Sequence, residues 1–498
     1  NNFPPQNPSF AGSRFSYPFV ADLLTAVFMK LGADLRGAMF VQNVAWAFSL
    51  LVVLERFVRR LTGGDRLAGK LASPILFFSG GLGFLWFFND YWQQAKSFGD
   101  FVWGLQTDYT IGNEFRWGNS LVTLFITQRS LLIGMPLTIT VLGWLWRAFR
   151  SSREVEEQRS SGLVRVGDPT LAVVVGLLAG TLPLVHLHSL AVLFVVGVFL
   201  FVFRPDKWKL WTAFAGGVAV VAVPELLWAM QGAASRPTEF IAAHFGWDSG
   251  ETNFVWFWLK NVGLFIPLIA VGIYLLSRRI PAAGTDEEAD FRSLVLFYVP
   301  FVFCFVVSNT IKLAPWEWDN IKVLIYWYVG SIPFVAYALS FAWRRGGFLR
   351  SVAVLGFAAL IFSGALDVWR TASGQIRTRV FGPNEVALAR LVRLKTEPDA
   401  LFLNAPTYNS AIVLTGRLSL MRYPGHLSSH GIDYRQREAD VRQIYQGSPL
   451  ADRLIDQYGI DYVLVSPEET NSLRVNTAFF SRFPVVAEVG QSKVYKVR

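Results

Sequence analysis

The residues best placed to do chemistry are charged side chains that interrupt apolar sequence. Between the apolar runs Leu294–Ser308 and Val323–Ala342 lies a short polar island, Asn309–Lys322. It presents Glu317, Asp319, Asn320 and Lys322 together, with two tryptophans. A link between membrane spans needs only a few polar turn residues, and charge beside hydrocarbon is costly unless it stays wet or paired. The tryptophans also suit an interfacial belt. Other acids sit in similar places. Asp90 directly follows an apolar run, Asp108, Glu114 and Arg116 share one short segment, and Asp248 and Glu251 follow His244. A carboxylate there can take a proton from an acceptor, or bind a divalent cation (Mg or Mn) that neutralises phosphate. Ordinary wet loops contain such acids too. Among the cations, Arg116, Arg129, Lys260, Lys312 and Lys322 stand apart from the main basic clusters. Arg129 and Lys322 stand where apolar runs begin, a depth at which a cation either holds a lipid phosphate or snorkels to the interface. His186 and His188 occur where two apolar runs meet with almost no link, which predicts a tight helical hairpin. Their i, i+2 spacing keeps them off one helix face, but a turn brings them together. A phosphate or headgroup contact, a metal ligand and plain polar turn residues are the three readings.

Positioning these residues is the work of a membrane bundle. The 498 residues are 53% hydrophobic and only 16% charged, against about 25% charged in soluble domains. The net charge of +10 would suggest nucleic acid in a soluble protein; here short basic loops between spans account for it. The single cysteine, Cys304, excludes an intrachain disulfide. There is no phosphate-binding glycine loop, dinucleotide fingerprint or nucleophile elbow. Few charges fall at span centres, which argues against a pump or channel. A transporter would also need paired broken helices at the midplane.

Spans are expected near 38–58, 72–88, 130–148, 170–185, 188–204, 210–229, 262–277, 293–308, 323–342 and 349–368, with a short interfacial helix over Phe19–Leu31. If each crosses once, the clusters Arg56–Lys70, Arg147–Arg153, Arg204–Lys209, Arg278–Arg279 and Arg344–Arg345 share one side, which should be cytoplasmic. The other side receives residues 1–37, 89–129, 230–261, 309–322 and the tail. From about residue 384 the pattern becomes that of a small α/β domain: strands at Ala400–Asn404, Leu418–Tyr423 and Tyr462–Ser466, helices at Asp433–Tyr445 and Leu450–Tyr458, and a closing hairpin over Val485–Val497. The expected fold is an α-helical polytopic membrane protein of about ten spans with a C-terminal extracytoplasmic α/β domain. Its parts are an outer loop and interfacial helix (1–37), a bundle (38–369) and the outer domain (370–498). The chain starts Asn-Asn-Phe-Pro-Pro-Gln on the outer side, so an earlier span is expected before it.

This arrangement resembles the GT-C superfamily, integral membrane glycosyltransferases that use lipid-phosphate-linked sugars. The stretches Asn2–Gly12, Tyr17–Asp22, Pro406–Arg417 and Tyr423–Tyr434 look like segments of uncharacterised bacterial members. The resemblance implies transfer of a sugar from a polyprenyl-phosphate donor to an acceptor on the outer face of the bacterial inner membrane. It implies a catalytic aspartate in the first outer loop, here expected upstream of Asn1; Asp22 does not match that position. A second acid in a later outer loop is common in the family, and Asp90 is the best-placed candidate. The donor phosphate would be held by Arg116, Arg129 or Lys322. Substrate contacts are expected from Asp108, Glu114, His186, His188, Glu317, Asp319, Arg422 and His430. The alternative is a non-catalytic relative serving as an accessory subunit of a membrane complex.

Overall fold

The computed structural model describes residues 6–15, 17–112, 115–150, 166–230, 241–279 and 287–498. Two compact units emerge. One is built chiefly from the residues up to Tyr17 and from Arg377–Arg498; the other holds Pro18–Leu226 and Thr238–Ile376.

The larger unit is helical. A short α1 (Val20–Lys30) matches the expected interfacial helix and leads to α2 (Leu35–Leu61), whose first turn is capped by Asp34 accepting from Gly37 N at 2.6 Å. Next come α3 (Arg66–Phe77), α4 (Gly83–Trp92), α5 (Phe98–Trp103) and α6 (Arg129–Arg150). They are followed by α7 (Pro169–Gly180), α8 (Leu182–Phe203), α9 (Trp208–Met230), α10 (Phe254–Val262) and α11 (Phe265–Ser277). The last three are α12 (Glu287–Thr310), α13 (Ile321–Arg345) and α14 (Gly347–Ala372).

Among the described residues, seven helices are long and apolar enough to cross a membrane, or eight if the pair α10–α11, bent by 85°, counts as one span. Three of the ten expected segments are short or broken. The run 72–88 is interrupted between α3 and α4, 170–185 yields the 12-residue α7, and 262–277 yields the 13-residue α11. The interruption at 78–82 survives because protein groups satisfy its backbone. Asn119 Nδ2 donates to Phe77 O (2.9 Å) and Ser79 O (3.1 Å), Leu82 N donates to Lys260 O (2.9 Å), and Ser363 Oγ donates to Gly81 O (2.9 Å). A Cβ at Gly81 would fall 2.0 Å from Lys260 O, so only glycine permits this approach.

At the centre stands α13, buried along its whole apolar window and packed by α3, α11, α12 and α14. Lipid is as apolar as leucine, so such contacts need close backbones and small residues. Gly330 of α13 lies under the Phe301 ring, and Gly272 of α11 lies against the Phe334 carbonyl. The expected basic loops do gather at one end. Arg66, Arg279 and Arg344 line one cavity, Arg60 has Arg147 as a charged neighbour, and Arg204 and Lys207 donate to Phe149 O (2.8 Å) and Ala148 O (2.5 Å) at the end of α6.

Two-residue strands β1 (Ala242–Ala243) and β2 (Ile311–Lys312) pair antiparallel in the helical unit. The smaller unit is a five-stranded sheet of β3 (Leu401–Leu403), β4 (Leu418–Ser419), β5 (Tyr462–Val465), β6 (Val485–Val489) and β7 (Ser492–Lys496), in the order β4-β3-β5-β7-β6. The first three strands are parallel and the last two form the expected hairpin, turning at Gly490 (φ 59°). The segment before Tyr17 belongs to this unit. Ser419 N donates to Pro8 O (3.1 Å), Ala11 N to Ser419 O (3.1 Å), and the Arg437 guanidinium lies 3.7 Å over the Phe10 ring.

Candidate functional site

The polar island and two distant loops form one knot. Asn320 closes the island on itself: its Nδ2 donates to Ser308 O and Ile311 O, and its Oδ1 accepts from Leu313 N (3.0 Å). Asn261 holds the neighbouring loop, its Oδ1 accepting from Arg116 N (2.7 Å) and Trp117 N (3.0 Å). The tryptophans act as staples. Trp318 Nε1 donates to Arg116 O (2.9 Å), Trp247 Nε1 to Glu317 O (3.0 Å), and Trp258 Nε1 to Asn309 Oδ1 (3.1 Å). Trp117, Trp247, Trp258 and Trp327 pack edge-on or stacked beneath the knot. The charges of this knot are paired: Lys312 with Glu317 at 3.2 Å, Lys322 with Asp319 at 3.1 Å, and Arg116 with Asp248.

Beside Lys322 the helix α8 is broken. His186 has φ −158° and ψ 97°, outside helical geometry, and Leu184 N, an unpaired amide of the first turn of α8, donates to Glu225 Oε2 of α9 at 3.3 Å. The break turns His186 inward. Its Nδ1 lies 2.8 Å from Ser189 Oγ, which lies 2.5 Å from Tyr326 Oη; Tyr326 Oη to Thr138 Oγ1 is a long 3.5 Å. Each hydroxyl has one proton. Thr138 spends its own proton on Gly134 O (2.8 Å) and so accepts from Tyr326, while between Ser189 and Tyr326, and between Ser189 and His186, either atom can donate. The other ring nitrogen of His186 is Nε2. That atom is buried and has no hydrogen-bond partner among the described residues. His188 packs against it, ring centroids 5.4 Å apart. The ionisable neighbours of His186 are His188 and Lys322; those of His188 are Lys322 and Asp319. Histidines, lysine and aspartate from α8 and the start of α13 therefore converge.

Ser189, Tyr326, Thr138 and Asn261 were not singled out from the sequence. For Tyr326 a signal existed, since it follows Lys322 by one helical turn. For Asn261 and Thr138 none did, because only packing brings their partners near.

The remaining expected residues lie elsewhere. Arg129, at the start of α6, donates to Asp22 (3.1 Å), Thr25 Oγ1 (2.6 Å) and Gln42 Oε1 (2.5 Å) and stacks on Trp46. This pins α1 to the bundle and leaves the Arg129 side chain 11% exposed. Asp108 accepts from Thr110 and Ile111 amides and from Arg370, which also binds Asp367. Asp90 accepts from Tyr109 Oη at 2.7 Å, and burial together with that bond raises the Tyr109 pKa. Glu114 lies outside the described residues. In the smaller unit, Arg422 donates to Ser419 Oγ (3.0 Å) and Arg417 O (3.1 Å), burial lowering its pKa to about 10, and His430 stacks on Tyr17 at 4.5 Å. Among the described residues no three His, Cys, Asp or Glu side chains group as a metal site.

No family profile and no curated protein matches the sequence. Solved structures do match in three dimensions. The oligosaccharyltransferase of Archaeoglobus fulgidus, tethered with an acceptor peptide containing the NVT sequon, superposes with TM-score 0.50 at 10% identity, over 97% of this chain and 66% of that one. The same enzyme in complex with Zn and sulfate gives TM-score 0.50 at 11% identity, over 93% and 60%. The archaeal oligosaccharyltransferase AglB of that organism, in complex with an inhibitory peptide and a dolichol-phosphate, gives 0.43 at 12% identity, over 93% and 63%. This chain thus spans 60% to 66% of the length of these proteins. At such identity the likeness establishes the fold alone: a helical bundle followed by a sheet-containing C-terminal unit.

Proposed function

We propose that this chain is a membrane glycosyltransferase that moves a sugar from a polyprenyl-phosphate-linked donor to an acceptor at the end of the bundle opposite its basic loops. The observation that carries this reading is the convergence of His186, His188, Lys322 and Asp319 at a broken helix. As the bond between sugar and phosphate breaks, negative charge develops on the departing phosphate. Preorganised donors stabilise that charge most in a dry site. Lys322 is such a donor, held in place by Asp319, and we assign the imidazole proton of His186 to the unpartnered Nε2, which makes it a second. Attack of the acceptor in a single displacement inverts the anomeric carbon, and the acceptor proton passes to a carboxylate.

Asp90 is the acid we assign to that proton. Of the outer-loop acids singled out from the sequence, Asp22, Asp108, Asp248, Glu317 and Asp319 each face a cation, whereas Asp90, apart from the four converging residues, faces the neutral Tyr109 hydroxyl. The acceptor, the sugar and the bacterial inner membrane remain part of this proposal.

The test is transfer by the purified protein of labelled sugar from a polyprenyl-phosphate donor. Lys322→Ala should lose donor binding, and Asp90→Asn should keep donor binding but slow transfer by about 100-fold or more, the usual scale of general-base loss. Absence of transfer by the wild type with every donor tried, together with stoichiometric copurification of another membrane protein, would overturn the proposal in favour of an accessory subunit.

A further inference from the structure

Far from Lys322, at the other end of α13, the structure holds a polar cavity of about 330 Å³ lined by Asp65, Arg66, Arg279, Tyr337, Arg344 and the turn Gly63–Gly64. Lys322 and Arg344 are about 33 Å apart along the helix at 1.5 Å per residue, so this cavity and the site above lie at opposite membrane faces.

Its construction is specific. Asp65 is buried and accepts from Leu67 N (2.9 Å), Ala68 N (3.0 Å) and Ser340 Oγ (2.9 Å), and pairs with Arg344. That carboxylate is fully engaged by groups that hold α3 and α13 together. Arg279 donates to Thr62 O at 3.3 Å and lies across Gly63, where a Cβ would fall 2.3 Å from its Nη1. Gly63 (φ 65°) and Gly64 (φ 88°) take a conformation that L side chains rarely adopt. Three guanidinium groups and one carboxylate therefore line one cavity between the ends of three membrane helices. Arginine pairs bidentately with phosphate, and basic pockets between membrane helices at the positive end recognise anionic headgroups. The volume is that of a small-ligand site, and the cavity sits at the ends of the apolar helices, where they carry their basic residues.

We propose that this cavity binds the phosphate of an anionic phospholipid in the leaflet at the basic end of the bundle. Binding there would clamp the α2–α3 turn to the ends of α11 and α13, independently of any transferase activity.

The test uses the full chain in nanodiscs of phosphatidylcholine with or without phosphatidylglycerol, released and weighed by native mass spectrometry. The wild type should retain phosphatidylglycerol at one site and gain thermal stability from it. Arg66→Ala/Arg279→Ala should lose most of both effects, and Arg66→Ala alone, at an exposed side chain, should lose part. Arg350→Ala, a charge removed outside the cavity, should change neither. Equal loss in Arg350→Ala, or unchanged retention in the double variant, would overturn the proposal. So would inorganic phosphate, added in detergent, reproducing the full stabilisation, since the site would then be one for free phosphate.

Discussion

At the scale of single residues, two kinds of side chain carry this molecule. Buried amides tie loops: Asn261 alone satisfies the Arg116 and Trp117 backbone N–H groups. Its replacement by alanine leaves two donors orphaned beneath Trp318, at about 1–3 kcal/mol each. Asn261→Ala should therefore lower thermal stability and speed hydrogen exchange at the Trp117 amide; unchanged exchange would show that another group takes over. The second kind is the His186–Ser189–Tyr326 chain. If Tyr326 supplies the proton that fixes the His186 tautomer, Tyr326→Phe should raise donor KM or lower kcat by about tenfold, the scale of one lost hydrogen bond. Thr138→Ala, at the long 3.5 Å end, should change little. Equal effects of the two would place the proton differently. Asn261 did not declare itself in the sequence, because it acts on partners more than a hundred residues away, and Tyr326 did so only through its place one helical turn after Lys322.

At the scale of elements, glycines decide which helices approach. Gly272 of α11 lies against the Phe334 carbonyl, where a Cβ would fall 2.1 Å from oxygen, and Gly176 of α7 meets Gly217 of α9 in the same way. Without a hydrophobic drive between helices in lipid, such close contacts hold the bundle. Gly272→Val should give a protein that inserts in the membrane but unfolds at markedly lower temperature in detergent, through overpacking of about 1–3 kcal/mol or more. Retention of wild-type stability would mean that α11 and α13 can separate without cost. The long helices were readable from apolar length. The breaks at 78–82 and at His186 were only partly so. A hairpin was expected where two apolar runs meet near His186, and what the structure has there is a break inside α8; the interruption inside 72–88 depends on Asn119, Lys260 and Ser363, which arrive from far along the chain.

At the scale of the whole molecule, the smaller unit joins the two ends of the chain. Arg437 donates to Ala11 O and Leu420 O and stacks on Phe10 and Tyr458. Arg437→Ala should release the N-terminal segment and expose the Ser419 and Ala11 amides to hydrogen exchange, with the β5–β7 amides unaffected. In the same unit Glu469 is fully buried, accepting from Ala405 N (2.8 Å) and Ser466 N (2.9 Å). Burial raises its pKa above the usual carboxylate value, although those bonds pull it down. Protonation thus favours the folded unit, whose stability should fall as pH rises from the ordinary carboxylate range through the raised value. Glu469→Gln should flatten that dependence of Ala405 protection; an unchanged pH profile would assign it to another group.

Composition and periodicity by themselves determined that this is a polytopic membrane protein, which ends of its helices are basic, and that an α/β unit with a closing hairpin follows. Those properties are local: span length, charge asymmetry and alternation are written within a few residues of where they act. They also marked His186, His188, Asp319 and Lys322 as unusual polar residues at apolar borders. Only the tertiary structure decided that these four meet, that Arg129 is bound to Asp22 and its neighbours, and that the first residues serve the last domain. Those outcomes depend on which helices pack together, and packing in a membrane is set by small residues and satisfied backbone groups contributed from far along the chain.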